Sequence, residues 1–241
     1  MGNIGIKKFL LDLVFPKFCA GCGAEGDHIC EKCLKKIRIL KYQVCPSCRK
    51  INLNGRFCSG MCAEEFCFDQ LLVCLEYRRG GLFQKLMVRF KYKFSRELKD
   101  FLGKIMADRF SEFQSLLPPL SGKIFVVPVP IHKKKLKIRG FNQTKLLAEI
   151  LVRGAEKLRL CDCLKRHEYH ADQAKLHKTE RMKNLCGAVG ICEGFGEILK
   201  SGVVLLIDDV ATTGSTMNEC GKVLKEAGAG YVCGLVLARG R

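Results

Sequence analysis

Residues 203–216 read Val-Val-Leu-Leu-Ile-Asp-Asp-Val-Ala-Thr-Thr-Gly-Ser-Thr. The first five are apolar and suit a strand buried on both faces. Two carboxylates, Asp208 and Asp209, follow at once. Val210, Ala211, Thr212, Thr213, Gly214, Ser215 and Thr216 then lead into a helical pattern. A loop of this make-up turns successive main-chain N–H groups toward one point, and the helix start adds a positive field, so the pair forms an anion site. Thr212, Thr213, Ser215 and Thr216 add hydroxyl donors. Carboxylates beside such a site repel a phosphate unless they are aimed at something else. Asp208 and Asp209 can accept hydrogen bonds from the vicinal hydroxyls of a ribose whose 5-phosphate lies in the loop, a division of labour used in other nucleotide sites. An Asp pair after a strand also serves as a Mg2+ site in phosphotransfer proteins, but the Thr-Thr-Gly-Ser-Thr continuation favours ribose phosphate.

The second chemical signal is cysteine. The chain has 16, and half lie between 19 and 62 as the pairs Cys19/Cys22, Cys30/Cys33, Cys45/Cys48 and Cys58/Cys62. Short C-x-x-C turns place two thiolates on one side of a knuckle, and two knuckles complete a tetrahedral zinc shell. Four pairs therefore imply two structural zinc ions. The sequential grouping joins Cys19, Cys22, Cys30 and Cys33 in one site and Cys45, Cys48, Cys58 and Cys62 in the other; an interleaved cross-brace satisfies the same spacing. Redox-active C-x-x-C chemistry needs one such motif at a helix start, which four clustered pairs do not resemble. Cys74, Cys220 and Cys233 fall in apolar patterns and read as core. Cys161, Cys163, Cys186 and Cys192 are the weaker candidates for a third site.

These residues need elements to position them. A strand is expected at 70–77, helices at 81–91 and 96–116, a buried strand at 123–129 and a helix at 141–159. A strand at 203–207, a helix at 215–227 and a strand at 231–237 complete the pattern. Alternating helices and continuously apolar strands predict an α/β fold with a parallel sheet covered on both faces. Residues 1–67 then form a small cysteine-rich module and 68–241 the α/β domain.

The formal net charge is +18, from 42 Lys and Arg against 24 Asp and Glu, which points to a poly-anionic partner. Segment 132–145 carries Lys133, Lys134, Lys135, Lys137, Arg139 and Lys145 with no acid, directly after a predicted strand. In 78–99, cations interleave with Phe90, Tyr92 and Phe94, a composition suited to single-stranded nucleic acid, although each ring alone reads more readily as core. Neither G-x-x-x-x-G-K-[ST], G-x-G-x-x-G nor H-E-x-x-H occurs, which excludes a P-loop, a dinucleotide fingerprint and a zincin. No apolar run is long enough to span a bilayer and no export signal is visible, so a cytoplasmic protein with reduced cysteines is expected.

The stretch LLIDDVATTGST (205–216) is similar to the PRPP-binding signature of type I phosphoribosyltransferases. With FPKFCAGC (15–22), VPVPIHKKKLKIRGFNQ (127–143) and the spaced Gln173, Leu176, Arg181 and Asn184, the whole chain resembles the ComF family of competence-associated proteins. The resemblance implies an N-terminal double zinc ribbon followed by a type I phosphoribosyltransferase fold. It implies PRPP with Mg2+ as ligand across residues 208–216, with Asp208, Asp209 and Arg139 in catalysis. It places Val129 and Pro130 at a pyrophosphate loop and turns Arg139, Asn142 and Gln143 toward the same cleft, with residues 165–184 as a lid. It further implies work in natural transformation, with single-stranded DNA and DNA-uptake or helicase proteins as partners. Either the chain is a phosphoribosyltransferase of unknown acceptor, or it is a non-catalytic single-stranded DNA binding protein that retains the fold.

Overall fold

The computed structural model describes residues 16–92, 96–119, 122–166, 189–200 and 202–240. The described N-terminal residues carry two short helices, α1 (Glu31–Leu34) and α2 (Gly60–Ala63), and an antiparallel ribbon of β1 (Gln43–Val44) and β2 (Ile51–Asn52). Then come β3 (Gln70–Leu75), α3 (Leu82–Tyr92), α4 (Arg96–Phe113), β4 (Ile124–Pro128), α5 (Lys133–Arg139), α6 (Gln143–Leu151) and β5 (Leu158–Leu160). They are followed by β6 (Leu164–Arg166), β7 (Val189–Ile191), α7 (Gly196–Leu199), β8 (Val203–Ala211), α8 (Ser215–Glu226) and β9 (Tyr231–Arg239).

Five strands form one sheet in the order β3-β9-β8-β4-β5, and each neighbouring pair is parallel. Side chains alternate across the pleat, so β8 sends Leu205 and Ile207 to one core and Val204 and Leu206 to the other. The first core takes Leu86 and Phe90 from α3, Leu102 and Met106 from α4, and Leu147 and Leu151 from α6. The second takes Met217, Cys220 and Leu224 from α8. From β4 the chain crosses to β5 over the first face, and from β8 it crosses to β9 over the second. The carboxyl ends of β4 and β8 therefore diverge and leave a crevice, the place where open α/β sheets take ligands.

The cysteine-rich part closes the outer edge of β3. Leu40 N–H donates to the Cys74 carbonyl at 3.0 Å, and Glu76 N–H donates to the Arg38 carbonyl at 2.9 Å. The buried amide of Gln43 satisfies both main-chain groups of Val73, at 3.2 and 2.8 Å. An open row of strand N–H and C=O groups, which would recruit other chains, is thus covered.

Three expectations change. The helix expected over 141–159 stops at Leu151, because Gly154 turns at φ +73° and the remaining apolar residues pair with β4 as β5. The basic segment, for which no helix was expected, is helical over Lys133–Arg139. The His132 ring accepts from Lys134 N–H at 3.1 Å, and Gly140 ends the helix at φ +77°. The strand expected to end at 207 continues to Ala211, because Asp208, Val210 and Ala211 keep register with Val236, Ala238 and Arg239 of β9. The antiparallel pair β6–β7 has no counterpart among the expected elements. Gln173, Leu176, Arg181 and Asn184, with the rest of the expected lid after Arg166, lie outside the described residues. Among the described residues no helix is long and apolar enough to cross a membrane.

Candidate ligand cleft and metal centres

A cleft of about 300 Å³ occupies the crevice between β4 and β8. Val129, Pro130, Asp208, Asp209, Val210, Thr216 and Arg139 line it, so residues expected to act together meet there. Asn142 and Gln143 line it as well. Ala211 is buried beneath, and Thr212, Thr213 and Ser215 are exposed at the turn into α8. Gly214 takes φ +84° at the α8 N-cap, a conformation that favours glycine. Among the described residues, the main-chain N–H groups of Thr213, Gly214 and Thr216 find no internal acceptor, and Ser215 N–H has only a 3.4 Å contact with Thr213 Oγ1. Unfilled donors at a helix start are what an anion needs.

The two carboxylates differ in surroundings. Asp209 is buried and pairs with Lys91 Nζ of α3 at 2.9 Å. Asp208 is half-buried and accepts from Asp209 N–H at 2.7 Å. Desolvation, with Asp209 beside it, pushes Asp208 up to about 7, against the opposing pull of that N–H and of Lys91. One carboxylate is thus held by a cation while its neighbour is poised near neutrality.

The opposite wall is built by the β4–α6 connection. Asn142 caps α6 by accepting from Thr144 N–H at 3.2 Å. Asn142 Nδ2 and Thr144 Oγ1 both donate to the Val129 carbonyl, at 3.2 and 2.6 Å. Val129 N–H donates to Ile207 O at 2.9 Å, which ties this turn to β8. Arg139 donates to Gln143 Oε1 at 3.0 Å and lies 5.5 Å from the centre of the Tyr92 ring. Gln143 is buried, and its Nε2 has no hydrogen-bond partner among the described residues. Lys135, Lys91 and Arg166 also line the cleft. Lys91 was missed as a cleft residue, since only tertiary folding brings α3 there; Arg166 belongs to the described start of the expected lid.

The eight paired cysteines form two clusters, in sequential grouping. Cys19, Cys22, Cys30 and Cys33 make one, Cys45, Cys48, Cys58 and Cys62 the other, and within each the sulfurs lie inside 4.8 Å of one another. Several separations are 3.4–3.7 Å. Tetrahedral zinc with Zn–S near 2.3 Å needs sulfurs about 3.8 Å apart, so both sets fit that ion. Burial raises the Cys19 and Cys45 thiols, but N–H donors from Cys22, Cys30 and Gly21 around Cys19, and from Cys58, Cys48 and Ser47 around Cys45, outweigh it and bring both down to about 6. At these two sulfurs the surroundings favour thiolate, the form a metal binds, whereas burial pushes Cys33 up and the Cys48 thiol beside it pushes Cys58 up, both to about 12. Cys161, Cys163 and Cys192 make no such cluster among the described residues, and Cys186 lies outside them.

Residues 10–74 match the double zinc ribbon domain family. Competence protein F of Haemophilus influenzae is 28% identical over 203 residues, covering 83% of this chain and 85% of that protein. Competence protein ComFC of Streptococcus pneumoniae is 31% identical over 217 residues, covering 85% of this chain and 84% of that protein. A solved structure described as an analysis of an invariant aspartic acid in HPRTs, asparagine mutant, is 16% identical, with a TM-score of 0.37 over 62% of this chain and 69% of that one. The likeness to ComFC runs over 85% of this chain, and the chain belongs to the ComF family, with an N-terminal double zinc ribbon beside a five-stranded parallel α/β sheet.

Proposed function

We propose that this chain binds PRPP, or a related ribose 5-phosphate, in the β4–β8 cleft and serves the handling of DNA taken up by the cell. The observation that carries the first half is the meeting of Asp208, Asp209, Thr216, Val129, Pro130 and Arg139 in one cleft. The 5-phosphate sits on the open N–H groups before α8. The ribose hydroxyls face Asp208 and Asp209. The pyrophosphate lies along Val129 and Pro130, toward Arg139 and Lys135, and Mg2+ enters as the counter-ion of PRPP. An acceptor then forms a bond to C1 of the ribose as the C1–O bond breaks, and pyrophosphate leaves with the electron pair. Here the protein orients the reactants and offsets developing charge, without a covalent nucleophile. Residues 1–67 act as the two-zinc module and 68–241 as the transferase domain. The second half rests on the relatives, both named as competence proteins.

A second reading is a single-stranded DNA binding protein that keeps the fold without catalysis. It is favoured by the exposed lysines of α5 and by the engagement of Asp209 with Lys91. Titration with PRPP–Mg2+ separates the two. Micromolar binding that is lost in Asp208→Asn/Asp209→Asn, with pyrophosphate released in an acceptor screen, supports the transferase. No PRPP binding, together with salt-dependent retention of single-stranded DNA, supports the other reading.

A further inference from the structure

The turn that leads into α8 is held on two flanks by the segment carrying the second cysteine cluster. On one flank stands Asn218, in the first turn of α8. Its Nδ2 donates to the Glu65 carbonyl at 2.9 Å and its Oδ1 accepts from Cys67 N–H at 2.5 Å. Glu65 and Cys67 directly follow α2, which bears Cys62. Between them Phe66 leans on the turn: a Cβ on Gly214 would lie 3.7 Å from its Cε1. Phe66 is itself fixed in a ring cluster, 5.1 Å from Phe57 and 5.4 Å from Phe68.

On the other flank the contacts run through the end of β9. Gly240 N–H donates to the Ala211 carbonyl at 2.8 Å, and the Gly240 carbonyl accepts from Arg49 Nη2 at 3.3 Å. Arg239 donates to the carbonyls of Cys45, at 3.3 Å, and Pro46. One knuckle, Cys45 and Cys48, therefore braces the start of the turn. The other, Cys58 and Cys62, braces its end. The first cluster faces elsewhere: Arg89 of α3 donates to the Phe18 carbonyl, and a Cβ on Gly21 would lie 3.1 Å from Leu82 Cδ1.

We propose that the second four-cysteine centre sets the geometry of the anion loop through Asn218 and Phe66, so that ligand affinity in the cleft depends on metal at this centre and not at the first. The inference rests on reading the cleft as a ribose 5-phosphate site. Asn218 touches no ligand; it is a positioning residue. A metal that ties the two knuckles together fixes both flanks at once, and without it residues 211–218 lose their common anchor. Binding linkage is reciprocal, so ribose 5-phosphate in the cleft must slow metal loss from the second centre. Cys48 and Cys58 are exposed, which leaves that centre open to a chelator.

The test uses the zinc-loaded full chain, with ribose 5-phosphate as probe. Asn218→Ala keeps every cysteine. It should retain both zinc ions, weaken ribose 5-phosphate about tenfold through the loss of two hydrogen bonds, and speed amide exchange over 212–217. Cys62→Ser should lose the zinc of the second centre, weaken ribose 5-phosphate further and speed exchange over 212–217 further, whereas Cys22→Ser should leave the affinity within about twofold. In the wild type, but not in Asn218→Ala, ribose 5-phosphate should slow chelator release of one of the two zinc ions. Unchanged affinity and unchanged exchange in Asn218→Ala overturn the proposal, and this variant decides the matter even if Cys62→Ser does not fold. A wild type that binds no ribose 5-phosphate refutes the reading of the cleft instead; the exchange comparison then still decides whether the second centre holds the loop.

Discussion

Replacing Asp208 with Asn should make the protein more stable and a poorer binder at the same time. The Asn oxygen still accepts from Asp209 N–H, so the local geometry survives. The carboxyl, ordinarily at 3.8, is raised to about 7 by desolvation and by Asp209. A gap of about three pH units corresponds to roughly 4 kcal/mol at most. Because the carboxyl is only half-buried and opens on a wet cleft, the realised destabilisation is about 1–2 kcal/mol. The sign follows from proton uptake. Between the two values the folded state binds more protons than the unfolded one, so the acid lowers stability progressively as pH rises from 4 to 7 and by a constant amount above. Asn removes that loss. Its melting temperature at pH 8 should exceed the wild-type value by roughly 3–6 °C, and the excess should shrink at pH 5.5. Ribose 5-phosphate affinity at pH 8 should fall about 10- to 100-fold, the worth of charge-assisted hydrogen bonds to the ribose. Thermal scans at both pH values and calorimetric titration measure the two effects. An Asp208→Asn protein that melts lower than wild type at pH 8, or binds ribose 5-phosphate equally well, refutes the reasoning.

Elemental analysis should find two zinc ions per chain; stripping them with a chelator should unfold the cysteine-rich part, seen as lost circular dichroism, because metal supplies the folding energy of so small a unit. Gly214→Ala places a side chain at φ +84° and should cost about 1 kcal/mol in urea denaturation while weakening ribose 5-phosphate. Reversing Lys134, Lys135 and Lys137 to Glu should lower the slope of log affinity for single-stranded DNA against log salt by about 2, read by fluorescence anisotropy, and an unchanged slope would remove α5 from the DNA surface.

What could be read beforehand was local. The apolar run, the Asp pair and the Gly-hydroxyl turn are contiguous, so their chemistry survives without the fold. Cysteine spacing told how many clusters to expect, but spacing is blind to which knuckles face each other; the sequential grouping emerges only once Cys30 lies 3.7 Å from Cys19 and 3.6 Å from Cys22. Lys91 sits on a helix whose lysines and arginines look alike in sequence, and nothing local marks the one that meets Asp209. α5 has stop signals of its own, His132 before it and Gly140 after it, but its run of like charges hides any apolar period. β5, β6 and β7 have three residues each, too few for a period of two to declare itself.

The order of strands in the main sheet has a consequence for synthesis. β9, the last strand to be made, sits between β3, the first, and β8. While the chain is still emerging, β3 cannot meet its parallel neighbour, and a naked apolar strand is an invitation to aggregate. Segment 38–40 and the Gln43 amide precede it off the ribosome and can pair with it at once. The cysteine-rich part can thus cover the outer edge of β3 while the other edge waits for β9, and a product translated without it would leave both edges of that strand open until the chain is complete.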